Sequence, residues 1–165
     1  MAKKPNGFWI YAIEINPEWI PHLPKRKVPR DTERLIYVGY TETGPRERFE
    51  QHLLGLHHKT NKGLSSGEFF RVIRREREKR GLPGALVEGK DAWLLEDLIE
   101  SFSTAEDARP REGGLADELN AIPGTLAWSN MGKAAEARKA ASAARKRKRA
   151  RRQRRKARKA AEDAG

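Results

Sequence analysis

Cysteine is absent from all 165 residues, so the chain can build neither a disulfide framework nor a thiolate metal site. No stretch approaches the roughly 18 consecutive apolar residues of a membrane-spanning helix. The segment ahead of Phe8 also lacks the apolar centre of a secretory signal. A soluble protein of the reducing cytoplasm is the expectation. Acidic residues are nearly missing from one segment: residues 131–165 hold 15 Lys and Arg against three Asp and Glu, whereas residues 1–130 hold 20 of each sign. The formal charge of +12 therefore resides wholly in the C-terminal segment. A neutral body carrying a cationic arm is the charge pattern of a protein that engages a polyanion. The chain divides accordingly into a folded domain over residues 1–130 and a polybasic tail over residues 131–165.

What the first segment contains is the apolar pattern of a small α+β domain. Phe8–Ile15 is aromatic and β-branched, and residues 34–40 repeat that character, so each reads as a strand. Pro17, Pro21, Pro24 and Pro29 break regular structure between them, making residues 16–33 a long irregular connection within an antiparallel pair. Pro45 suits the first position of a helix. Over residues 45–56, Phe49, Leu53 and Leu56 recur at i, i+4 and i+7, a stripe that faces a core. Ser65 with Glu68 signals a capping box for a second helix over residues 66–80. Phe69, Val72 and Ile73 lie on its buried face, and Gly81 and Pro83 end it.

Residues 93–99 fit either a strand or a short helix, and a third strand is favoured. Thr104 with Asp107 signals a helix start, but Pro110 and the pair Gly113-Gly114 interrupt it. A short turn and a new helix over residues 110–119 are therefore predicted. Residues 126–128 read as a final edge strand. The expected fold is a small antiparallel sheet of about three strands flanked by helices, followed by a helical or disordered tail.

Two tyrosines sit in the strands, as Ile10-Tyr11 and Tyr37-Val38-Gly39, and a glycine within a strand marks close backbone approach. Nine residues after Gly39 come Arg48 and His52, spaced i, i+4 on one helix face beside the apolar stripe. Polar groups at the rim of a buried face suit an active-site lip. An arginine can grip a phosphate bidentately, and a histidine or tyrosine can relay a proton. A carboxylate would be needed to hold a metal against the transferred phosphate.

At these residues the sequence resembles the GIY-YIG nuclease superfamily. Trp9-Ile10-Tyr11 stands for the first motif and Tyr37-Val38-Gly39 for the second. Arg48 and His52 match the helix motif, and Ala108, Glu112, Leu115 and Leu119 match the family's Ala-x3-Glu-x2-apolar-x3-Leu pattern. The resemblance covers residues 8–130. It departs from the family where Trp9 replaces the first glycine and where residues 16–33 lengthen the connection between the tyrosines.

The resemblance implies hydrolysis of a DNA phosphodiester by an activated water. Tyr11 would act as general base or orient the water, Tyr37 would assist through hydrogen bonding, and Arg48 would stabilise negative charge on the phosphorus centre. His52 would contact phosphate or relay a proton. Glu112 would coordinate a single Mg²⁺ or Mn²⁺, with Glu106 and Glu118 as competing carboxylates. The family's terminal asparagine corresponds to Asn130, with Asn120 as the alternative.

His57 and His58 invite a metal reading, but adjacent residues on a helix point about 100° apart. That leaves them as candidates for a phosphate contact. In the tail, Arg145, Lys146, Arg147, Lys148, Arg149, Arg151, Arg152, Arg154, Arg155 and Lys156 are the expected nucleic-acid contacts. The tail is rich in good helix formers but lacks the larger apolar residues of a coiled-coil seam. Like-charge repulsion predicts fraying over residues 145–159 in the free protein. Its contacts would be with phosphates, strongly salt-dependent and weakly discriminating between bases. DNA is the expected partner, and RNA is chemically open. The alternative to a nuclease is a catalytically inactive nucleic-acid-binding protein on the same scaffold.

Overall fold

A computed structural model describes residues 7–56 and 65–162. The chain is α+β, built on a mixed sheet of five strands. β1 (Phe8–Ile15) and β2 (Arg34–Thr41) form its antiparallel centre, registered with Tyr11 opposite Gly39 and Ile13 opposite Tyr37. β5 (Thr125–Trp128) lies along the outer side of β2, as the expected edge strand, but runs parallel to it. The purely antiparallel three-strand sheet is thus corrected to a mixed one of five. Parallel pairing requires a crossover far longer than a hairpin, and the whole segment from α1 to α3 supplies it.

The other side of β1 meets a broken strand. β3 (Ala92–Leu94) pairs with its C-terminal half and β4 (Glu100–Phe102) with its N-terminal half. Between them a 3₁₀ turn at Glu96–Leu98 bulges out. The single strand expected over residues 93–99 is therefore two short strands flanking a turn.

Alternation along β1 divides the core in two. Tyr11, Ile13 and Ile15 face one side, with Leu35 and Tyr37 of β2 beside them. There they meet α1 (Pro45–Leu54) and α2 (Ser65–Lys79) through Phe49, Leu53, Phe69, Phe70 and Ile73. Ile10, Ala12, Ile36 and Val38 face the other side and meet α3 (Ala105–Asn120) through Ala108, Leu115, Ala116 and Leu119. α1 ends two residues earlier than predicted, at the left-handed Gly55, and Leu56 is exposed instead of joining the stripe.

The proline-rich connection is irregular but not detached. Its 3₁₀ turn (Pro17–His22) buries Trp19, and Leu23 and Val28 join the same core. Asp91 anchors it from behind, accepting bonds from Trp19 Nε1 (3.2 Å), Arg77 (2.7 Å) and the Val87 amide (2.7 Å). Arg77 and Asp91 are both buried, so each satisfies a charge that would otherwise be stranded.

α3 runs unbroken from Ala105 to Asn120 through Pro110 and both glycines, correcting the predicted restart at Pro110. Thr104 caps it, accepting from the Asp107 amide as expected. Proline removes only one interior hydrogen bond, and packing compensates. Gly113 lies so close to Gly132 that an added Cβ would sit 2.6 Å from the Gly132 nitrogen. Gly132, at a φ of 85°, opens α4 (Gly132–Glu162), and Ala135 in its first turn is buried. Residues 132–162 run as one helix, and its first turn rests on the domain. Among the described residues, no helix is long and apolar enough to cross a membrane.

Candidate active site

β1 and β2 place Tyr11 and Tyr37 on the α1 side of the sheet, diagonal to one another, with ring centroids 6.0 Å apart. Gly39, opposite Tyr11, is what makes room for them. A Cβ there would lie 2.6 Å from the Tyr11 hydroxyl oxygen and 2.9 Å from that of Tyr37. Both phenols therefore converge over a gap in the β2 side-chain wall.

α1 brings Arg48 and His52 to the same place. His52 Nε2 lies 2.9 Å from the Tyr11 hydroxyl, and its ring stacks on Phe70 at 4.8 Å and meets the edge of Tyr37 at 5.3 Å. His52 is fully buried, not at the rim where the helical spacing put it. The tyrosines and Phe70 cover the imidazole, which one helix seen alone cannot reveal. Arg48 is half-buried, donates to Gln51 Oε1 at 2.9 Å and also hydrogen-bonds the Tyr11 hydroxyl.

The protonation of this group follows from its donors. A guanidinium has hydrogens only to give, so the Tyr11 oxygen accepts from Arg48 and its proton points toward His52 Nε2 or the Tyr37 hydroxyl. Burial, then the neighbouring Tyr37, push the Tyr11 pKa well above the ordinary phenol value, and Arg48 only partly opposes them. Tyr11 is a neutral phenol at physiological pH.

Glu112 comes from α3. It shares the buried face of α3 with Ala108, Leu115 and Leu119, against the side of the sheet away from Tyr11. Ser129 Oγ donates to its Oε1 at 2.6 Å, and the Asn130 amide also bonds its carboxylate. Ser129 follows Trp128, which pairs with Tyr37. Glu112 is thereby tied to the same end of the sheet as Gly39 and Tyr37. Burial raises its pKa above the usual carboxylate range, and the bonds from Ser129 and Asn130 and the charge of Arg109 only partly offset this.

As a metal site this donor set fits one anchoring ligand. Glu112 is a carboxylate oriented by two hydrogen bonds, and waters and phosphate oxygens would have to complete the shell of a hard divalent cation. Among the described residues, no cluster of three or more His, Asp or Glu could hold a metal. The competing carboxylates are otherwise engaged or placed: Glu118 pairs with Arg111, and Glu106 is exposed on the first turn of α3.

Asn130 reaches Glu112 through its backbone amide. Asn120 bonds both ways to the backbone of Ala127, at 2.8 and 3.0 Å, and so fixes β5 to α3. His57 and His58 lie outside the described residues. Along α4, Arg145, Lys146, Arg147, Lys148, Arg149, Arg151, Arg152 and Arg154 are exposed, and Arg155 and Lys156 continue the same helix.

Three residues near the site escaped sequence reasoning. Gln51 steadies Arg48, and its i, i+3 spacing was legible. Arg74 of α2 donates to the His52 carbonyl at 2.8 Å, and Ser129 holds Glu112. No spacing rule points to either, because both contacts join distant elements. No protein-family model, curated protein or solved structure matches the chain.

Proposed function

We propose that the chain is a divalent-metal-assisted endonuclease that hydrolyses DNA phosphodiester bonds, with its active site at Tyr11, Tyr37, Arg48 and His52 and general nucleic-acid affinity from α4. The observation that carries this reading is the Tyr11–His52 hydrogen bond of 2.9 Å, with Arg48 on the same phenol and Gly39 leaving space beside it. Residues from β1, β2 and α1 meet there, and the motifs that resemble the nuclease family supply them.

Arg48 is the member within reach of substrate. On meeting a phosphate, its guanidinium exchanges the Tyr11 oxygen for a phosphoryl oxygen, which strengthens as negative charge grows at the phosphorus. The freed Tyr11 oxygen then accepts a proton from the attacking water while its own proton passes to His52 Nε2. The water oxygen bonds to phosphorus as the P–O bond to the nucleoside oxygen breaks, and that oxygen leaves with a proton taken from solvent water. A neutral phenol suits such a relay, since it can accept and donate at once. Tyr37 holds the phenol in line. A cation on Glu112 would supply Lewis-acid stabilisation of the phosphate charge.

Nicking of supercoiled plasmid in Mg²⁺ or Mn²⁺ tests the reading. Arg48→Ala should lower the rate by about 100-fold or more, the usual cost of removing a group that stabilises developing charge. Plasmid left intact by the wild-type chain in both metals sinks the nuclease assignment. One observation favours the inactive-scaffold alternative: the burial that raises the Glu112 pKa opposes ionisation of the metal ligand. A chain ending after Ala144 separates the two, because it keeps the buried contact of Ala135. A nuclease so shortened still cuts at low salt, whereas a pure binder loses its activity with its arm.

A further inference from the structure

Beside the end of β5, the proline-rich connection and α4 enclose a cavity of about 440 Å³. Its walls carry Arg26 and Lys27 from the connection, Lys139 and Arg145 from α4, and Asn130 between them. Among the described residues, no carboxylate lines it. Glu68 lies close by as a counter-charge: it bonds Lys27 and is 3.9 Å from Arg26. Lys27 also lies over the Trp128 ring, 5.8 Å from its centroid. The floor is Trp128 and Ser129, the residues that lead directly to Asn130 and the Glu112 carboxylate.

We propose that this groove holds a stretch of DNA backbone and leads it from the basic helix to the end of the sheet where the candidate active site lies. The proposal rests on the nuclease reading for the identity of its ligand. Four cations around a concave surface, with Glu68 beside only two of them, repel one another, and a polyanion relieves that repulsion while gaining several bonds at once. The groove is lined by side chains from two segments that are separate in sequence. It therefore gives the long connection between the tyrosines a role: it supplies the wall facing α4. Arg26 is well suited to a phosphate, since its side chain is 72% exposed and its ion pair with Glu68 is a long one. Ser142 and Ala141 line the groove without bulk, leaving it open.

The experiment measures binding of the full chain to a short fluorescent DNA duplex across a salt series. Arg26→Ala should weaken binding several-fold at about 100 mM salt and lower the log–log salt slope by about one, the signature of one lost phosphate contact. Ser142→Trp fills the groove without changing charge and should weaken binding by about tenfold. Ala144→Trp, about 200° around the helix from Ser142, should bind within twofold of wild type. Circular dichroism of each variant confirms that α4 is intact.

Wild-type affinity in both Arg26→Ala and Ser142→Trp overturns the proposal. So does an equal loss in Ala144→Trp, which would make the whole helix surface the binding site. An RNA duplex bound in preference to DNA, with the same variants impaired, overturns the assignment to DNA. Parallel plasmid assays keep the two readings apart. Groove-dependent binding without cleavage refutes the nuclease alone, and cleavage by groove variants that bind normally refutes the groove alone.

Discussion

Replacing Gly39 by alanine is the sharpest perturbation that the fold offers. The glycine has no left-handed backbone to protect, so the whole effect must come from the added methyl group. That carbon would sit 2.6 Å from the Tyr11 hydroxyl oxygen, 2.7 Å from its ring carbon Cζ and 2.9 Å from the Tyr37 oxygen. An ordinary contact needs about 3.5 Å or more, so something must move by close to an ångström. The rings cannot yield freely, because both are buried and His52 and Phe70 pack around them. Overpacking a closed core costs about 1–3 kcal/mol, a loss readable in urea by tryptophan fluorescence. Misplacing a reacting group by about 1 Å costs about 100-fold in rate, so nicking should fall much further than stability. A Gly39→Ala chain within about 0.5 kcal/mol of wild type and cutting at the normal rate would refute the claim that Gly39 makes room for the phenols.

The two glycines of α3 should respond in opposite directions. Gly114→Ala meets nothing nearer than Arg111 at 3.6 Å and should gain about 0.5–1 kcal/mol from helix propensity. Gly113→Ala meets the Gly132 backbone and should lose about 1–3 kcal/mol; urea titration of the pair decides it, and equal signs refute the close α3–α4 approach. Glu112→Gln should stabilise the protein at neutral pH, measured by thermal melts from acid to alkaline buffers. The folded-state pKa of Glu112 is raised, so wild type loses stability as pH climbs from the ordinary carboxylate value through the raised one. The advantage of the Glu112→Gln chain should therefore vanish in acid; a difference that instead grows in acid contradicts the burial effect. Asp91→Ala leaves the buried Arg77 unpaired and should cost about 3–5 kcal/mol by urea unfolding. Glu88→Ala, which breaks an exposed pair with Arg46, should barely move the same transition, and equal losses from the two would refute the burial argument.

What could be read from the sequence was what local pattern determines. Alternation placed Tyr11 and Tyr37 in adjacent strands, and helical spacing put Arg48 and His52 on one face. The parallel pairing of β5 was not legible, because an edge strand carries the same alternation whichever way its neighbour runs. Pro110 and Gly113 read as breaks for sound local reasons. The helix persists because Gly113 packs against Gly132, a contact between residues no local window joins. His52 was placed at a lip because one helix seen alone cannot reveal what lies above it. The backbone amide of Asn130 reaches Glu112, a contact that no side-chain motif encodes.

The interrupted edge of the sheet has a consequence for a protein with so basic a helix. Leu94 and Glu100 are six positions apart, while their partners Ile13 and Ile10 are only three apart, so the bulge leaves that edge no continuous run of free backbone groups. An unbroken edge strand is a template on which another chain can add itself. Molecules gathered by their basic helices along one polyanion would be held at high local concentration, where such templating is fastest. The turn at Glu96–Leu98, with two acidic side chains in its first turn, makes this edge, opposite to β5, too short and too charged to be copied. If the proposed polyanion gathers several chains, this side of the sheet would not serve to join them.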